Sequence, residues 1–380
     1  MSKHSEIFVA FDTSKLRNAV AIADSDRSGE VRFLGEIDNT EAATAKLVRK
    51  LTAKYERLTF CYESGPTGYE LYRQIKSLGH ECLVVAPSLI PKKPGDRVKT
   101  NRRDAVSLVK LLRANELTAV WVPDRQHEAM RDLVRAREAA VMDLRQKRQQ
   151  ISAFLLRQGR HYSAGKKTWT KSHLNWLSSQ KLEYPEQRIA FEEMMLAMRQ
   201  ASERLERLEQ AIAVAVPDWS LAELVTALMA MRGIDLIAAA TFVAEIGDLS
   251  RFQSPRELMA YLGLVPSENS TGDSIKRGPI TKAGNRRARR ILVECSWAYQ
   301  HPPRVSLEKR QKIEAAPKAV REIAWKAQHR LNARYRALVR KSKLKTVAIT
   351  AVAREFAGFI WAVGRAIGTA EAAVRSLAVR

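Results

Sequence analysis

Two acidic residues of the chain each close a short apolar segment with the character of a β-strand, and a third lies near the start of a helical pattern. These residues are Asp12, Glu63 and Asp104. Acids at the ends of neighbouring strands meet at one edge of a sheet, and a helix that crosses this edge adds a third ligand. Carboxylate oxygens are the ligands that Mg²⁺ prefers. Asn101 lies three residues before Asp104, on the same helical face, and its amide oxygen is a further, uncharged ligand.

The chemistry that such a cluster performs is phosphoryl transfer. Two divalent ions about 3.5–4 Å apart stabilise both the attacking and the leaving oxygen of a phosphodiester. Each acid alone has an ordinary explanation, since Asp12 can cap a turn and Glu63 can pair with a lysine. The shared sheet edge favours a joint metal site, with Mg²⁺ as the expected ion and Mn²⁺ as the alternative.

A second group of reactive side chains lies in the segment GLVPSENSTGDSIKRGPITKAGNRRARR, residues 263–290. Its hydroxyls are Ser267, Ser270, Thr271 and Ser274, and seven basic residues follow: Lys276, Arg277, Lys282, Arg286, Arg287, Arg289 and Arg290. Such hydroxyls contact phosphates passively or supply a nucleophile whose transition state the arginines stabilise. Spacing alone favours passive contact, because no histidine lies nearby in the sequence to act as a general base.

The charge of the chain is large and unevenly distributed. Its 65 Lys and Arg residues and 41 Asp and Glu residues give a net charge of +24. Residues 91–160 carry 17 basic and 8 acidic residues, a net charge of +9, and residues 276–345 carry 21 and 4, a net charge of +17. Two separated basic blocks indicate two nucleic-acid contact surfaces or two walls of one channel.

Several classes of protein are excluded by what the sequence lacks. Three distant cysteines without a CxxC pair form neither a disulfide scaffold nor a zinc ribbon. The apolar run over residues 236–244, broken only by Thr241, is shorter than the roughly 20 residues of a membrane span. No GxxxxGK[ST] loop is present, so the protein is not a P-loop ATPase. We therefore expect a cytoplasmic protein without a membrane partner.

Elements that can position the acids follow from the hydrophobic pattern. Residues 1–124 predict the order β-β-β-α-β-α-β, a mixed sheet flanked by helices, followed by a helix over 101–114. Residues 125–159 and 185–214 each predict a long helix, joined by an irregular connection at 160–184, in a coiled-coil middle region over 125–217. Residues 218–380 predict a helical domain that carries the hydroxyl-rich loop. A glycine-centred turn within it is equally compatible with a phosphate-binding helix-hairpin-helix and with an ordinary helical hairpin.

The motifs, taken in order, resemble those of a known family. They are IFVAFDTSK, CYESGPTGYELYRQIKSLGHECLVVAPSLIPK, RVKTNRRDAVSLVKLLRA, RGIDLIAAATFVAEIGDLSRFQSPRELMAYLGLVPSENSTG and ITKAGNRRARR. The chain is similar to transposases of the bridge-RNA-guided insertion-sequence family, also called DEDD transposases or serine-dependent bridge recombinases. The resemblance implies a RuvC-like domain of RNase H fold, a coiled-coil middle and a helical transposase domain.

The same resemblance implies roles for individual residues. Asp12, Glu63 and Asp104 match three of the four acidic metal ligands, and the remaining position is Asn101, where the family more usually has Asp. The family's nucleophilic serine directly precedes a glycine, whereas here Thr271 precedes Gly272 and Ser270 lies one residue earlier. We expect Ser270 to be the nucleophile because a primary hydroxyl is less hindered, with Thr271 as the alternative.

The sequence therefore predicts an insertion-sequence transposase that cuts and rejoins DNA. By resemblance, a structured noncoding RNA from the same element pairs with donor and target DNA, and the active site combines the metal cluster of one protomer with the serine loop of another in a tetramer, a dimer of dimers. The expected location is the prokaryotic cytoplasm, at the nucleoid. Two alternatives are a Mg²⁺-dependent structure-specific nuclease, like a Holliday-junction resolvase, and a non-catalytic nucleic-acid-binding protein.

Overall fold

The structure is a computed structural model that describes residues 4–378 except residues 27, 92–99, 164 and 166. The chain divides into two compact units, Met1–Pro123 and Asp124–Arg380. The first unit is a mixed α/β layer structure, and the described elements of the second are largely helical. This architecture confirms the coarse fold class that the sequence predicts, an α/β part followed by a largely helical part.

The first unit contains one five-stranded sheet with helices on its faces. Its elements are β1 (His4–Thr13), β2 (Arg17–Asp24), β3 (Val31–Asp38), α1 (Glu41–Thr52), β4 (Tyr55–Glu63), α2 (Glu70–Ser77), β5 (Glu81–Val85) and α3 (Asn101–Arg113). The strand order is β3-β2-β1-β4-β5, with β1 antiparallel to β2 and parallel to β4. The predicted order of strands and helices is confirmed.

The sheet of the first unit buries both faces, because its central strands are apolar at nearly every position. One face packs Val9, Phe11, Phe60 and Tyr62 against α1 and α2. The opposite face presents the small residues Ala10, Ala19, Ala21 and Cys61 to α3. Small side chains on this second face let the helix lie close to the sheet.

The second unit contains ten α-helices and one β-hairpin among its described residues. They are α4 (Arg125–Arg157), α5 (Lys171–Ser178), α6 (Pro185–Ala215), α7 (Ala222–Leu228), α8 (Leu236–Ile246), α9 (Pro255–Tyr261), β6 (Pro266–Glu268), β7 (Arg277–Ile280), α10 (Arg286–Ser296), α11 (Leu307–Glu314), α12 (Lys318–Arg340) and α13 (Lys345–Ala378).

The two long helices α4 and α6 pack against each other as an antiparallel pair. Phe154 stacks on Phe191 near one end, and Arg137 pairs with Glu209 further along, so the partners run in opposite directions. The two predicted long helices are confirmed. The connection predicted to be irregular contains the short helix α5, which Thr170 caps by accepting a hydrogen bond from the amide of His173. The prediction was wrong for this segment, because the cap and two buried residues, His173 and Leu177, stabilise a helix of about two turns.

Helix α13 is the central element of the second unit's core. Residues 345–368 are long and apolar enough to cross a membrane by length and hydropathy alone. Eight side chains of this stretch are fully buried against the other helices: Ala348, Ile349, Val352, Ala353, Phe356, Ala357, Ile360 and Val363. The apolar character of α13 is accounted for by this packing.

Candidate active site

Asp12 and Glu63 lie side by side at the ends of two adjacent parallel strands. The last paired residues of β1 and β4 are Phe11 and Tyr62, so Asp12 and Glu63 are the next positions on each strand. Side chains alternate along a strand, which places both acids on the face of the sheet that α3 covers. Both are half-buried. The structure therefore brings this pair of predicted ligands together.

Helix α3 begins over the same face. Thr100 caps the helix by accepting a hydrogen bond from the amide of Arg103. Asp104, in the first turn, is half-buried, and the next residue, Ala105, is fully buried in the cluster formed with the α3-facing side of the sheet. Asn101 is exposed at the start of the helix.

The structure adds a carboxylate that sequence reasoning missed. Asp12 pairs with Ala19 of β2, and Ala19 pairs with Glu36 of β3, so the three positions form one row across the sheet. An irregularity in the β2–β3 pairing between Val20 and Ala21 brings Glu36 onto this row. The Asn101 side-chain amide donates a hydrogen bond to Glu36 at 3.4 Å. The sequence signal was weak, because alternation alone does not reveal a bulge.

The donor set of this site is sparse for a metal ion. Within the described ranges, no three His, Cys, Asp or Glu side chains are grouped closely enough to hold one. The adjacent pair Asp12 and Glu63 remains, with Asp104 on the covering helix. Mg²⁺ is often held by one or two carboxylates together with waters and substrate phosphates. The residues present fit a site of this open kind.

The hydroxyl-rich segment forms a β-hairpin rather than the predicted flexible loop. Strands β6 and β7 pair in antiparallel fashion, and the pairing continues through Thr271 and Ser274, which exchange backbone hydrogen bonds at 3.1 Å across a turn at Gly272 and Asp273. Gly272 adopts a φ of 53°, which this tight turn requires. The candidate hydroxyls thus lie on a defined backbone.

Ser270 and Thr271 differ in their surroundings. The Ser270 hydroxyl donates to the Glu268 carboxylate at 3.0 Å and accepts from the Lys276 amide at 3.2 Å. Arg277 lies 3.5 Å from the same carboxylate. The Thr271 hydroxyl is exposed and has no hydrogen-bond partner among the described residues. The sequence offers no nearby histidine as a general base, whereas the hairpin places the Glu268 carboxylate in contact with the Ser270 hydroxyl.

The hairpin is anchored at its base by two close backbone contacts. Gly263 follows α9 and Gly284 precedes α10, both with positive φ. A Cβ at Gly263 would lie within 3 Å of the backbone of Ala283, and one at Gly284 would lie equally close to the carbonyl oxygen of Tyr261. Both positions therefore require glycine.

A buried acid that the sequence analysis did not single out fixes the helix after the hairpin. The Glu245 carboxylate, 1% exposed, forms two bonds with Arg135, at 2.8 and 3.0 Å, and accepts one from Asn285 at 2.8 Å. Burial raises the pKa of Glu245, but the bonds from Arg135 and Asn285 outweigh it and hold the pKa below its usual value. Asn285 in turn caps α10 by accepting from the amides of Arg287 and Ala288. In the sequence, the sign of this buried acid was a single Glu within the otherwise apolar segment that forms α8.

The basic residues of α10 are not equivalent. Arg287 and Arg290 both pair with Glu138. Arg289 donates to the carbonyl oxygens of Leu262 and Ala283, at 2.8 and 2.7 Å. Arg286 has no carboxylate partner in the described part of the chain. Of these four predicted nucleic-acid contacts, Arg286 is the one that the fold leaves open to a ligand.

The remaining basic residues that were predicted to bind nucleic acid lie on the hairpin. Lys276, Arg277 and Lys282 are all exposed. Arg277 lies beside Glu268, whereas Lys276 and Lys282 have no carboxylate partner among the described residues. The hairpin therefore presents positive charge close to Ser270 and Thr271.

The cysteines supply no nucleophile. Cys61, Cys82 and Cys295 are buried and unpaired. Burial raises the pKa of Cys82 and of Cys295 to about 12, and raises that of Cys61 strongly. A thiol of such high pKa is not ionised near neutral pH, so the hydroxyls of the hairpin are the better candidates.

Comparisons with known proteins find relatives along most of the chain. The family model described as "Transposase IS116/IS110/IS902 family" matches residues 225–308, and the transposase model DEDD_Tnp_IS110 matches residues 9–158. The chain is 57% identical over 365 residues to "Putative transposase y4qE" of Sinorhizobium fredii, covering 96% of this chain and 90% of the relative. It is 30% identical over 347 residues to "Transposase for insertion sequence element IS1533" of Leptospira borgpetersenii, covering 89% of this chain and 98% of the relative.

Proposed function

The chain belongs to the IS116/IS110/IS902 family of insertion-sequence transposases, and we propose that it joins DNA strands through a covalent protein–DNA intermediate formed on the β6–β7 hairpin. The observation that carries this proposal is the contact between the Ser270 hydroxyl and the Glu268 carboxylate at 3.0 Å. The DNA-recombining activity itself follows from family membership.

The first unit supplies a metal site of RuvC-like type. We place a divalent ion, Mg²⁺ or Mn²⁺, at the half-buried pair Asp12 and Glu63, with Asp104 and Asn101 of α3 as the further ligands that the family resemblance implies. The bound ion would polarise the scissile phosphate. The side-by-side strand ends support this assignment, as do the small residues beneath α3, which keep the helix close to the sheet.

Ser270 is the proposed nucleophile. Glu268 accepts the proton of the Ser270 hydroxyl, the oxygen attacks phosphorus, and a serine–phosphate bond forms as one phosphate–oxygen bond of the DNA strand breaks. The expelled strand end takes up a proton from water and departs as a free hydroxyl. Reversal of this step with another strand restores a phosphodiester, so rejoining needs no ATP. The Lys276 amide, which donates to the same hydroxyl oxygen at 3.2 Å, holds the side chain in place. Thr271 remains the alternative nucleophile.

The source of sequence specificity is a further part of the proposal. We propose that a structured noncoding RNA of the element pairs with donor and target DNA while the protein holds the backbones. The net charge of +17 over residues 276–345 supports binding to nucleic acid, because lysine and arginine side chains neutralise backbone phosphates. We also propose a tetramer in which different protomers contribute the metal site and the hairpin. The proposed location is the bacterial nucleoid.

The test is a search for the covalent species. The protein is incubated with Mg²⁺ and a nicked DNA carrying the element's end, then denatured, and the protein–DNA adduct is separated on a gel and mapped by mass spectrometry. We expect Ser270→Ala to eliminate the adduct, with Thr271→Ala and Ser274→Ala as matched controls that retain it. An adduct on Thr271 would refute Ser270 but keep the mechanism.

The alternative function is a hydrolytic, resolvase-like nuclease that uses the acids alone. Such an enzyme leaves free ends, forms no adduct, and is unaffected by substitution of either hydroxyl. Efficient cleavage with these properties would overturn the covalent mechanism. A non-catalytic binding protein would instead bind nucleic acid with no cleavage, and would tolerate loss of Asp12 or Glu63.

A further inference from the structure

Helix α12 exposes a tryptophan on its solvent side. The Trp325 side chain is 48% exposed. Other residues of the helix contact the core, among them Val320, Ala324, Ala327, Leu331 and Tyr335. The indole therefore contributes little to the core of the second unit, although it is the largest side chain on the helix.

The exposed indole is held by a second ring. His329 lies one helical turn after Trp325, and the two rings meet edge to face, with centroids 4.6 Å apart and an angle of 74° between their planes. Edge-to-face pairs are a favourable aromatic arrangement. The contact restricts the indole before any ligand binds, which lowers the entropy cost of stacking on it.

The surroundings of Trp325 are strongly basic. The helix has one acid, Glu322, and its exposed cations without a carboxylate partner among the described residues are Lys318, Arg321, Lys326, Arg336 and Arg340. Arg330 and Arg334 differ, because each pairs with Glu355 of α13 at 3.0 Å. At about 1.5 Å per residue, the open cations extend over about 33 Å of helix.

We propose that this face of α12 binds an unpaired strand of DNA, with one base stacked on Trp325 and the flanking phosphates held by the open cations. A single exposed apolar residue needs no explanation of its own, but a ring-supported indole within unpaired cations matches the stacking platforms of single-strand binders. Duplex DNA keeps its bases stacked inside the helix. In the proposed function, pairing of DNA with the noncoding RNA leaves a DNA strand unpaired, so this inference rests on that proposal and commits to DNA as the occupant.

The experiment measures binding of four probes to the full-length protein: a 15-nucleotide oligo-dT, the same backbone without bases, a 15-base-pair duplex, and oligo-rU. Because the chain has 7 tryptophans, the fluorescence quenching that is due to Trp325 is obtained as the difference between the natural protein and Trp325→Phe. We expect Trp325→Ala to weaken oligo-dT binding about 5- to 100-fold, the range of one lost base stack. Binding of the abasic strand and of the duplex should be unchanged.

Two further variants separate stacking from charge and from general surface effects. Arg321→Ala with Arg336→Ala should weaken binding of every probe and flatten its salt dependence. Met142→Ala, which removes another exposed apolar side chain (63% exposed), should change nothing. Circular dichroism and thermal unfolding confirm that each variant is folded.

Four results would overturn the proposal. The first two are that Trp325→Ala weakens duplex or abasic binding equally, or changes the binding of no probe. The third is tighter Trp325-dependent binding of oligo-rU than of oligo-dT, which would assign the face to RNA. The fourth is a change of oligomeric state in Trp325→Ala, which would assign the face to a protein contact. None of these results depends on Ser270 or on the metal site.

Discussion

The side-chain amide of Asn101 donates a hydrogen bond to the carboxylate of Glu36 at 3.4 Å, which joins the start of α3 to strand β3. Position 101 is the one where the chain departs from the acidic pattern that its resemblance implies. A neutral amide at position 101 avoids placing another carboxylate beside Glu36. Arg17 also forms an ion pair with Glu36, at 3.9 Å.

This contact makes a prediction for Asn101→Asp. Without metal, the new carboxylate repels Glu36 and lowers the stability by less than about 1 kcal/mol, because both groups are exposed. Mg²⁺ should then raise the melting temperature of the variant more than that of the natural protein, and recombination should be retained. In EDTA, the double variant Asn101→Asp with Glu36→Gln should be as stable as the natural protein, because the repulsion between the two carboxylates is gone. Loss of activity in folded Asn101→Asp would show that the amide has another role.

Removing charge from the adjacent strand ends should abolish recombination. Asp12→Asn and Glu63→Gln keep side-chain volume while weakening metal binding, so we expect activity to be undetectable and the far-ultraviolet spectrum unchanged. Asp38→Ala, at the end of β3 and largely exposed, is the matched control and should stay active. Normal recombination in Mg²⁺ by either variant would disprove the metal site.

Glu268→Gln should slow formation of the covalent adduct by about 10²- to 10⁴-fold, the usual contribution of a general base. DNA affinity should change little, because one exposed acid is lost from a basic hairpin. The measurement is single-turnover adduct formation, with Asp273→Asn in the turn of the same hairpin as control. An unchanged rate would leave Glu268 with only the structural role of orienting Ser270.

Glu245 makes the stability of the second unit depend on pH. Its pKa in the folded state lies below the ordinary value of 4.5, so its stabilisation is complete above pH 4.5 and is lost as the pH falls through the folded-state pKa. Glu245→Gln should cost about 1–3 kcal/mol near neutral pH, and the difference from the natural protein should shrink below pH 4.5. Chemical unfolding at pH 7 and pH 4 tests this, and a constant difference would contradict it.

The arginines of α10 should separate into binding and structural residues. Arg286→Ala is expected to lower the slope of log affinity against log salt by about one, the value for one lost phosphate contact. Arg289→Ala should instead reduce stability by about 1–3 kcal/mol, because two carbonyl oxygens lose their donor. Filter binding over a salt series and thermal unfolding report the two effects. An unchanged slope in Arg286→Ala would remove α10 from the contact surface.

The sequence by itself determined the order of elements in the first unit. Strand β1 contains the apolar run of residues 7–11 and β4 contains the largely apolar segment of residues 58–62, and α1 begins after Thr40, which accepts a hydrogen bond from the Ala43 amide. Local patterns of this kind depend on neighbours within one or two turns, so they can be read without a structure. The same is true of the two long helices and of the placement of Asp12 and Glu63 at strand ends.

Tertiary structure alone decided which groups meet. Glu36 joins the row of Asp12 because of an irregularity in strand pairing, and Glu245 meets Arg135 and Asn285 across 110 and 40 residues of chain. The hairpin that carries Ser270 also escaped prediction, because its strands are short, polar and exposed and therefore lack the alternation that marks a half-buried strand. What fixes the hairpin is the close approach of Gly263 and Gly284 to backbone from neighbouring segments, a constraint that exists only once the chain has folded.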